Sequence, residues 1–293
     1  MFEFIYHLYE TFNLAGLPDP HKETLHLVDI LSGGALRALD GRSLQELTTK
    51  NINLDELVAQ RQQGVPLEYI LQQTVFMGRP FTCTPDALIP RAETELLVRT
   101  VLQHAAQLET KSPTIVDVGT GSGNIAVSLA LELPHSRVLA LDISPEAVSQ
   151  AQKHVEQYDL QDRLTVHCGD LFAPLHSMGL ENQVDVVVCN PPYIPSGSLG
   201  KMAAEIVEHE PLIALDAGPY GINIFRRLVQ DALAFLPPDG LLAFEFGAGQ
   251  EVLVERLLQK SGGYKQMQLV PDHTGAPRVA LAQKAVPAPN LTR

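Results

Sequence analysis

Thr114-Ile115-Val116-Asp117-Val118-Gly119-Thr120-Gly121-Ser122-Gly123 is the stretch on which the reading of the fold turns. A short apolar run ends in glycines, and Ile125 to Leu133 continues with a helical pattern. That is strand, tight turn, helix: the glycines let the backbone turn and approach a ligand, and a helix N-terminus offers free N–H groups. The same alternation continues downstream. Arg137 to Leu141 reads as a second strand, and Pro145 to Tyr158 as a second helix with Ser144 as N-cap and Pro145 at its first position. Leu164 to His167 is a third strand, Val184 to Val188 a fourth and Leu241 to Phe246 a fifth. The fourth is a continuous β-branched run, as expected of a strand buried on both faces. Gln266 to Val270 and Arg278 to Ala282 close the set. Such alternation means an α/β domain, a largely parallel sheet with helices on both sides.

Upstream the character differs. Residues 1–72 read as short helices, with Phe4, Ile5, Leu8, Tyr9 and Phe12, then Leu25, Val28 and Leu31, then Leu54, Leu57 and Val58 at helical spacing. Gly33-Gly34 and Gly64 punctuate them. None is long enough to be stable alone, so a small all-α bundle is expected, serving either as a docking module or as packing. Residues 73–90 carry a β-hairpin signal, Thr74 to Met77 and Phe81 to Cys83 flanking Gly78-Arg79-Pro80. The second domain then spans 91–285, its first helix starting at Thr94-Glu95, and the tail 286–293 is expected to fray.

The chain has 293 residues, with 21 Lys and Arg against 34 Asp and Glu and a formal net charge of −13. This acidity speaks against holding nucleic acid over a long basic surface. Cys83, Cys168 and Cys189 are an odd number without metal-ligand spacing, which fits a reducing compartment and no metal site. The N-terminus MFEFIYHLYETFNLAG reads neither as a signal peptide nor as an Arg-rich transit peptide. No apolar run approaches the length of a membrane span. A cytoplasmic monomer is the expectation.

The glycine loop gains meaning from Asp142, at the end of the second strand, where a carboxylate can accept both ribose hydroxyls of a nucleoside. A dinucleotide site needs G-x-G-x-x-G, and the last position here is Asn124. The pattern G-x-G-x-G with Asp117 two residues before it resembles the S-adenosylmethionine (AdoMet) loop of class I methyltransferases. That resemblance implies Asp117 orienting the methionine ammonium, Gly119, Thr120, Gly121, Ser122 and Gly123 facing the amino-acid portion, and Asp142 on the ribose. In Gly169-Asp170-Leu171-Phe172 it places Asp170 at the adenine edge and Leu171 over the ring.

Asn190-Pro191-Pro192-Tyr193 follows the fourth strand directly, where strand ends line the ligand crevice. Two prolines stiffen the backbone and remove two N–H donors. The Asn190 and Pro191 carbonyls can then both accept from one –NH2 group, and Tyr193 can cover a flat group. This suits a conjugated nitrogen, whose lone pair is delocalised. Acceptors for its protons raise electron density on nitrogen, hold it in line with a sulfonium methyl and stabilise the positive charge that grows there. Asn190, Pro191 and Tyr193 are therefore the candidate catalytic residues, and Asn190 to Tyr193 the substrate site. The motif alone leaves two substrates: adenine N6 in DNA or RNA, or a glutamine side-chain amide in protein.

From Gly64-Val65-Pro66-Leu67-Glu68-Tyr69-Ile70 onward the chain resembles the HemK/PrmC family of protein-(glutamine-N5) methyltransferases. The resemblance rests on Leu88 to Glu95, Asp117 to Gly123, Leu141 to Pro145, Gly169 to Phe172, Asn190 to Ile194, Glu210-Pro211 with Ala214-Leu215, and Phe244 to Gly247. It implies methyl transfer from AdoMet to the glutamine of the Gly-Gly-Gln loop in peptide chain release factors. It also implies that Asn190 contacts cofactor as well as substrate. The implied fold is a Rossmann-like class I methyltransferase domain, seven strands with one antiparallel to the rest, after a helical bundle that docks the release factor and a hairpin linker. This sequence departs from the family pattern at Ala92, at Ala217-Gly218-Pro219-Tyr220-Gly221 and at Ala276-Pro277-Arg278-Val279.

Overall fold

The computed structural model describes residues 2–34, 53–219 and 222–286. Its helices are α1 (Phe2–Leu14), α2 (Pro20–Leu31), α3 (Leu54–Gln62), α4 (Leu67–Leu71), α5 (Glu95–Ala105), α6 (Asn124–Glu132), α7 (Pro145–Gln157), α8 (Ala173–His176), α9 (Ala204–His209), α10 (Asn223–Phe235) and α11 (Glu251–Ser261). Its strands are β1 (Gln73–Phe76), β2 (Arg79–Thr82), β3 (Thr114–Val118), β4 (Arg137–Asp142), β5 (Leu164–Cys168), β6 (Val186–Cys189), β7 (Leu241–Glu245), β8 (Tyr264–Pro271) and β9 (Pro277–Lys284). The chain divides into two compact units, Met1–Pro90 with Met202–Pro211, and Arg91–Lys201 with Leu212–Arg293.

The first unit is helical, with Leu8, Phe12, Leu27, Val28, Leu57 and Leu67 in its core. In α2 the Asp19 carboxylate accepts from the Lys22 N–H at 3.0 Å, capping a helix that opens on Pro20. Leu25, expected in the core, is 40% exposed. The buried residues of α2 are instead Thr24, Leu27, Val28, Ile30 and Leu31, with 24, 27, 28 and 31 forming an i, i+3, i+4, i+7 stripe. Thr24 can lie inward because its hydroxyl donates to the Pro20 carbonyl at 2.7 Å. Arg61 of α3 ties three helices together, with Nη2 2.5 Å from Glu23 of α2 and Nη1 2.9 Å from Glu205 of α9. So a segment that lies in sequence among the strands of the second unit belongs to the first.

The hairpin turns at Met77-Gly78, not at Gly78-Arg79-Pro80 as expected. Phe76 faces Arg79 and Val75 faces Pro80 across it. Both turn residues have positive φ, 51° and 69°, the combination whose twist matches that of the flanking strands. Pro80 is tolerated inside β2 because a two-stranded ribbon has only edges.

The second unit holds a seven-stranded sheet in the order β5-β4-β3-β6-β7-β9-β8. β9 runs antiparallel to both neighbours and the other strands are parallel to one another, as the resemblance implied. Helix α7 starts as read: Ser144 Oγ accepts from the Ala147 N–H at 3.1 Å, with Pro145 first in the helix. The fourth strand starts later than expected, at Val186. Val184 is buried, but its N–H goes to the carbonyl of Phe235 at the end of α10, and the Asp185 carboxylate takes the Thr114 N–H at 2.7 Å. The tail expected from 286 is described only at Val286, which is 58% exposed, and 287–293 lie outside the described residues. So do Tyr220 and Gly221 of the Ala217–Gly221 departure.

The chain order reverses at β3: β4 and β5 build out on one side, and β6 returns to pair on the other. Val118 of β3 lies opposite Leu141 of β4 and opposite Cys189 of β6. Because these strands are parallel and in register, Gly119, Asp142 and Asn190 emerge together at the switch point, where open α/β sheets bind ligands.

Candidate active site

Gly119, Gly121 and Gly123 all have positive φ, 70°, 55° and 82°. Gly119 and Gly121 face open space, whereas a Cβ on Gly123 would lie 3.0 Å from that of Ala151 in α7. The loop is therefore seated on α7, a contact reinforced by the 2.7 Å bond between His154 Nδ1 and the Ser122 carbonyl. Four of the loop's own N–H groups are taken within the unit. Gly119 and Thr120 both donate to the Leu141 carbonyl, Gly123 to that of Thr120, and Gly121 to Asp142 Oδ2 at 2.8 Å. Such a loop offers close approach rather than a row of donors, which suits a ligand without pyrophosphate.

Asp117 is wholly buried at the end of β3. Its Oδ2 accepts from Thr120 Oγ1 at 2.6 Å and from the Ala126 N–H at 3.1 Å. Its Oδ1 has no hydrogen-bond partner among the described residues. Burial pushes its pKa up to about 7, opposed by those two bonds and helped by the nearby Asp142 charge. A buried carboxylate with one orphaned oxygen fits a cation, and an ammonium group meets that need. Asp142 holds the Gly121 N–H on Oδ2 and the Ser144 N–H on Oδ1, at 2.8 and 2.9 Å. Each oxygen keeps lone-pair capacity for a hydroxyl.

The other cofactor candidates are placed differently. The Thr120 and Ser122 side chains are buried and turned within the loop, Ser122 Oγ reaching Asn124 Oδ1 at 3.3 Å. Asp170 is half exposed and ion-paired with Arg227 at 2.7 Å. Leu171, in left-handed conformation at φ 47°, packs against the core of the second unit.

At Asn190–Tyr193 the structure adds partners from distant elements. Asn190 Nδ2 donates to Thr94 Oγ1 at 3.1 Å, and Thr94 Oγ1 donates to Glu245 Oε2 at 2.8 Å. Tyr193 Oη donates to the other oxygen of Glu245 at 3.4 Å. Arg278 Nη2 lies 3.8 Å from that same oxygen, and its guanidinium carbon lies 5.9 Å from the centre of the Tyr193 ring. Gln250 donates to the Tyr193 carbonyl at 2.9 Å and accepts the Gly247 N–H at 2.9 Å. A Cβ on Gly247 would lie 3.1 Å from the Tyr193 ring, so glycine lets the chain pass beside it. Burial, then the Glu245 charge, raises the Tyr193 pKa, so the phenol stays neutral. Burial raises that of Glu245 too, against the donors around it. Beyond the motif, Ile194 exchanges bonds with Leu215 and Ala217, which pins the loop.

No local pattern in the sequence marks Thr94, Glu245, Gln250 or Arg278 for a role in the site. Thr94 and Glu245 lie in stretches that carry the family resemblance, and that position was the one available signal.

The family described as Methyltransferase small domain matches residues 92–214. A release factor glutamine methyltransferase of Moorella thermoacetica is 42% identical over 229 residues, covering 78% of each chain. The chain belongs to the release factor glutamine methyltransferase family. Another release factor glutamine methyltransferase, from Geobacter sulfurreducens, is 39% identical and covers 70% of this chain and 69% of its own. That of Synechocystis sp. is 35% identical over 82% of this chain and 83% of its own. Among solved structures, a methyltransferase from Pyrococcus furiosus superposes with a TM-score of 0.52 at 17% identity, covering 78% of this chain and 100% of its own. The hMettl16 catalytic domain in complex with the MAT2A 3'UTR hairpin 1 does so with 0.57 at 16%, over 81% and 93%. This chain thus shares its fold with a catalytic domain that binds a 3'UTR hairpin, so the fold by itself does not choose the substrate.

Proposed function

We propose that this enzyme transfers a methyl group from AdoMet to the side-chain amide nitrogen of the glutamine in the Gly-Gly-Gln loop of peptide chain release factors. One observation carries the reading: the Asn190 amide is held by its nitrogen on Thr94 beside the glycine loop, in a chain 42% identical to a release factor glutamine methyltransferase. AdoMet, when bound, supplies an electrophilic methyl on a sulfonium. Asp117 Oδ1 takes its ammonium, Asp142 its ribose hydroxyls, and the loop around Gly119–Gly123 its amino-acid portion. Leu171 covers the adenine and Asn190 contacts the cofactor as well. Asp170 takes the adenine edge on Oδ1, its Oδ2 being held by Arg227.

On the acceptor side, Asn190 Oδ1 and the Pro191 carbonyl accept from the glutamine –NH2, with Pro192 stiffening the turn. The carbon–sulfur bond breaks as the carbon–nitrogen bond forms, S-adenosylhomocysteine leaves, and the positively charged product nitrogen, being strongly acidic, gives one proton to water. Tyr193, clamped by Gln250 and Glu245, covers the amide plane. The helical unit is the docking module for the release factor, and the chain acts in the cytoplasm as a monomer. Among the described residues no helix is long and apolar enough to cross a membrane, and no group of His, Cys, Asp and Glu could hold a metal ion.

The test is incubation with isotope-labelled AdoMet and purified release factor, followed by mass spectrometry of the Gly-Gly-Gln peptide. A one-methyl increase on the glutamine is expected. Label on nucleic acid but none on that glutamine would return the site to adenine.

A further inference from the structure

The Asn190 amide could sit in its slot either way round, and only one way serves an acceptor –NH2. Planarity does not decide this, since the two ends of an amide have nearly the same shape. The neighbours decide it. Thr94 has one hydroxyl proton, and Glu245 Oε2, 2.8 Å away, takes it. A carboxylate is acceptor-only, so the Thr94 oxygen is left with lone pairs alone. What faces it at 3.1 Å must donate, and Asn190 must present Nδ2 there and turn Oδ1 the other way. Thr94 is buried, so water does not compete for the same lone pairs. Glu245 is kept in its accepting role by Tyr193 Oη and by Arg278 on its other oxygen.

We infer that Thr94 and Glu245 form a positioning relay that fixes the orientation of the Asn190 amide and holds its oxygen as the acceptor for the substrate nitrogen. Neither residue touches the reacting atoms. The inference rests on the assignment of Asn190 to the acceptor site, and it extends that site to the strand β7 and to the turn preceding α5. It also accounts for the placement of an acid in a wholly buried strand end. Charge polarises the chain of bonds from Glu245 through the hydroxyl to the amide, which strengthens each link in a low-dielectric interior.

Three variants test this on the full-length enzyme with intact release factor. Thr94→Val keeps the shape and removes the hydroxyl. Thr94→Ser keeps the hydroxyl. Glu245→Gln keeps the shape but can donate as well as accept, so the direction of the relay is no longer set. For Thr94→Val the expected result is a kcat loss on the order of 100-fold, the scale of a misplaced reacting group, with KM for release factor and affinity for AdoMet unchanged. Thr94→Ser restores most of the rate, and Glu245→Gln loses rate while still binding AdoMet. Parental kcat in Thr94→Val or in Glu245→Gln overturns the relay. So does a folded, AdoMet-binding Thr94→Ser no faster than Thr94→Val. Should Thr94→Val not fold, Glu245→Gln and Thr94→Ser decide by the same readouts. Asn190→Ala run alongside separates the two levels: full activity there removes the acceptor-site assignment itself, whereas an inactive Asn190→Ala beside a fully active Thr94→Val removes the relay alone.

Discussion

Asn190 and Asp117 are the residues whose chemistry the structure specifies most closely, and each carries a prediction. Asn190→Ala should abolish methyl transfer to release factor while leaving most of the AdoMet affinity, because the proposed cofactor site keeps Asp142, Asp117 and the loop. Radiolabel transfer and calorimetry on one preparation check both halves. Asp117 titrates near neutrality in the free protein, with burial as the first cause. In the unfolded chain it ionises in the ordinary carboxylate range. The folded pKa is the higher of the two. The stability linked to this group is therefore fully present below the unfolded value and is lost as pH rises through about 7. An ammonium bound at Oδ1 favours the carboxylate. AdoMet affinity should accordingly rise with pH up to about 7 and then level, with a proton released on binding on the acid side. Calorimetry in buffers of different ionisation enthalpy reads that proton. Equal affinity at both ends of the range, or no proton release in acid, would remove Asp117 from the ammonium site. Asp117→Asn should bind more weakly and lose the pH dependence.

At the scale of elements, two contacts hold the working parts in place. The glycine loop leans on α7 at Gly123, where a methyl group would meet both Cβ and backbone of Ala151 and φ is 82°. Gly123→Ala should cost on the order of 1–3 kcal/mol of stability from the left-handed conformation alone. The collision with α7 adds to that, and AdoMet affinity should fall with it. Thermal unfolding with and without AdoMet separates the two effects. In the helical unit the Arg61 side chain is 8% exposed and bonds Glu23, Glu205 and the Val65 carbonyl. Arg61→Met would leave Glu23 without its partner, and because that carboxylate keeps some access to water the cost is about 1–3 kcal/mol rather than that of a fully buried pair. A denaturant midpoint unchanged from the parent would show that the pairs contribute nothing. Element patterning was legible in places and misleading in others. Ser144-Pro145 announces α7, because an N-cap and a first-turn proline act through local hydrogen bonding. Leu25 reads as core by spacing and is exposed. Which stripe of a short helix faces inward depends on what packs there, and Thr24 could hide its hydroxyl in its own helix.

For the whole molecule the net charge of −13 is a lever. Complementary fields raise association rates and are screened over about 10 Å at 0.1 M salt. Where docking uses basic patches on the release factor, its kcat/KM falls as salt is added, while kcat/KM for a short neutral Gly-Gly-Gln peptide stays level. A flat profile for both would mean that charge does not guide docking. The sequence by itself determined the parts that depend on near neighbours. These are the alternation of strand and helix, the turn at Gly119–Gly123, the acid closing β4 and the stiff Asn190–Tyr193 segment after a buried strand. Each follows from side-chain periodicity, proline and glycine geometry or a cap, all of which act within a few residues. Only the tertiary structure decided how the parts meet. The pairing of β3 with β6 brings Gly119 beside Asn190, and Glu245 reaches Thr94 across 151 residues of chain. Strand order and register set such proximities. A hydrogen bond acts over about 3 Å, and no local pattern in the chain encodes which distant donor will arrive there.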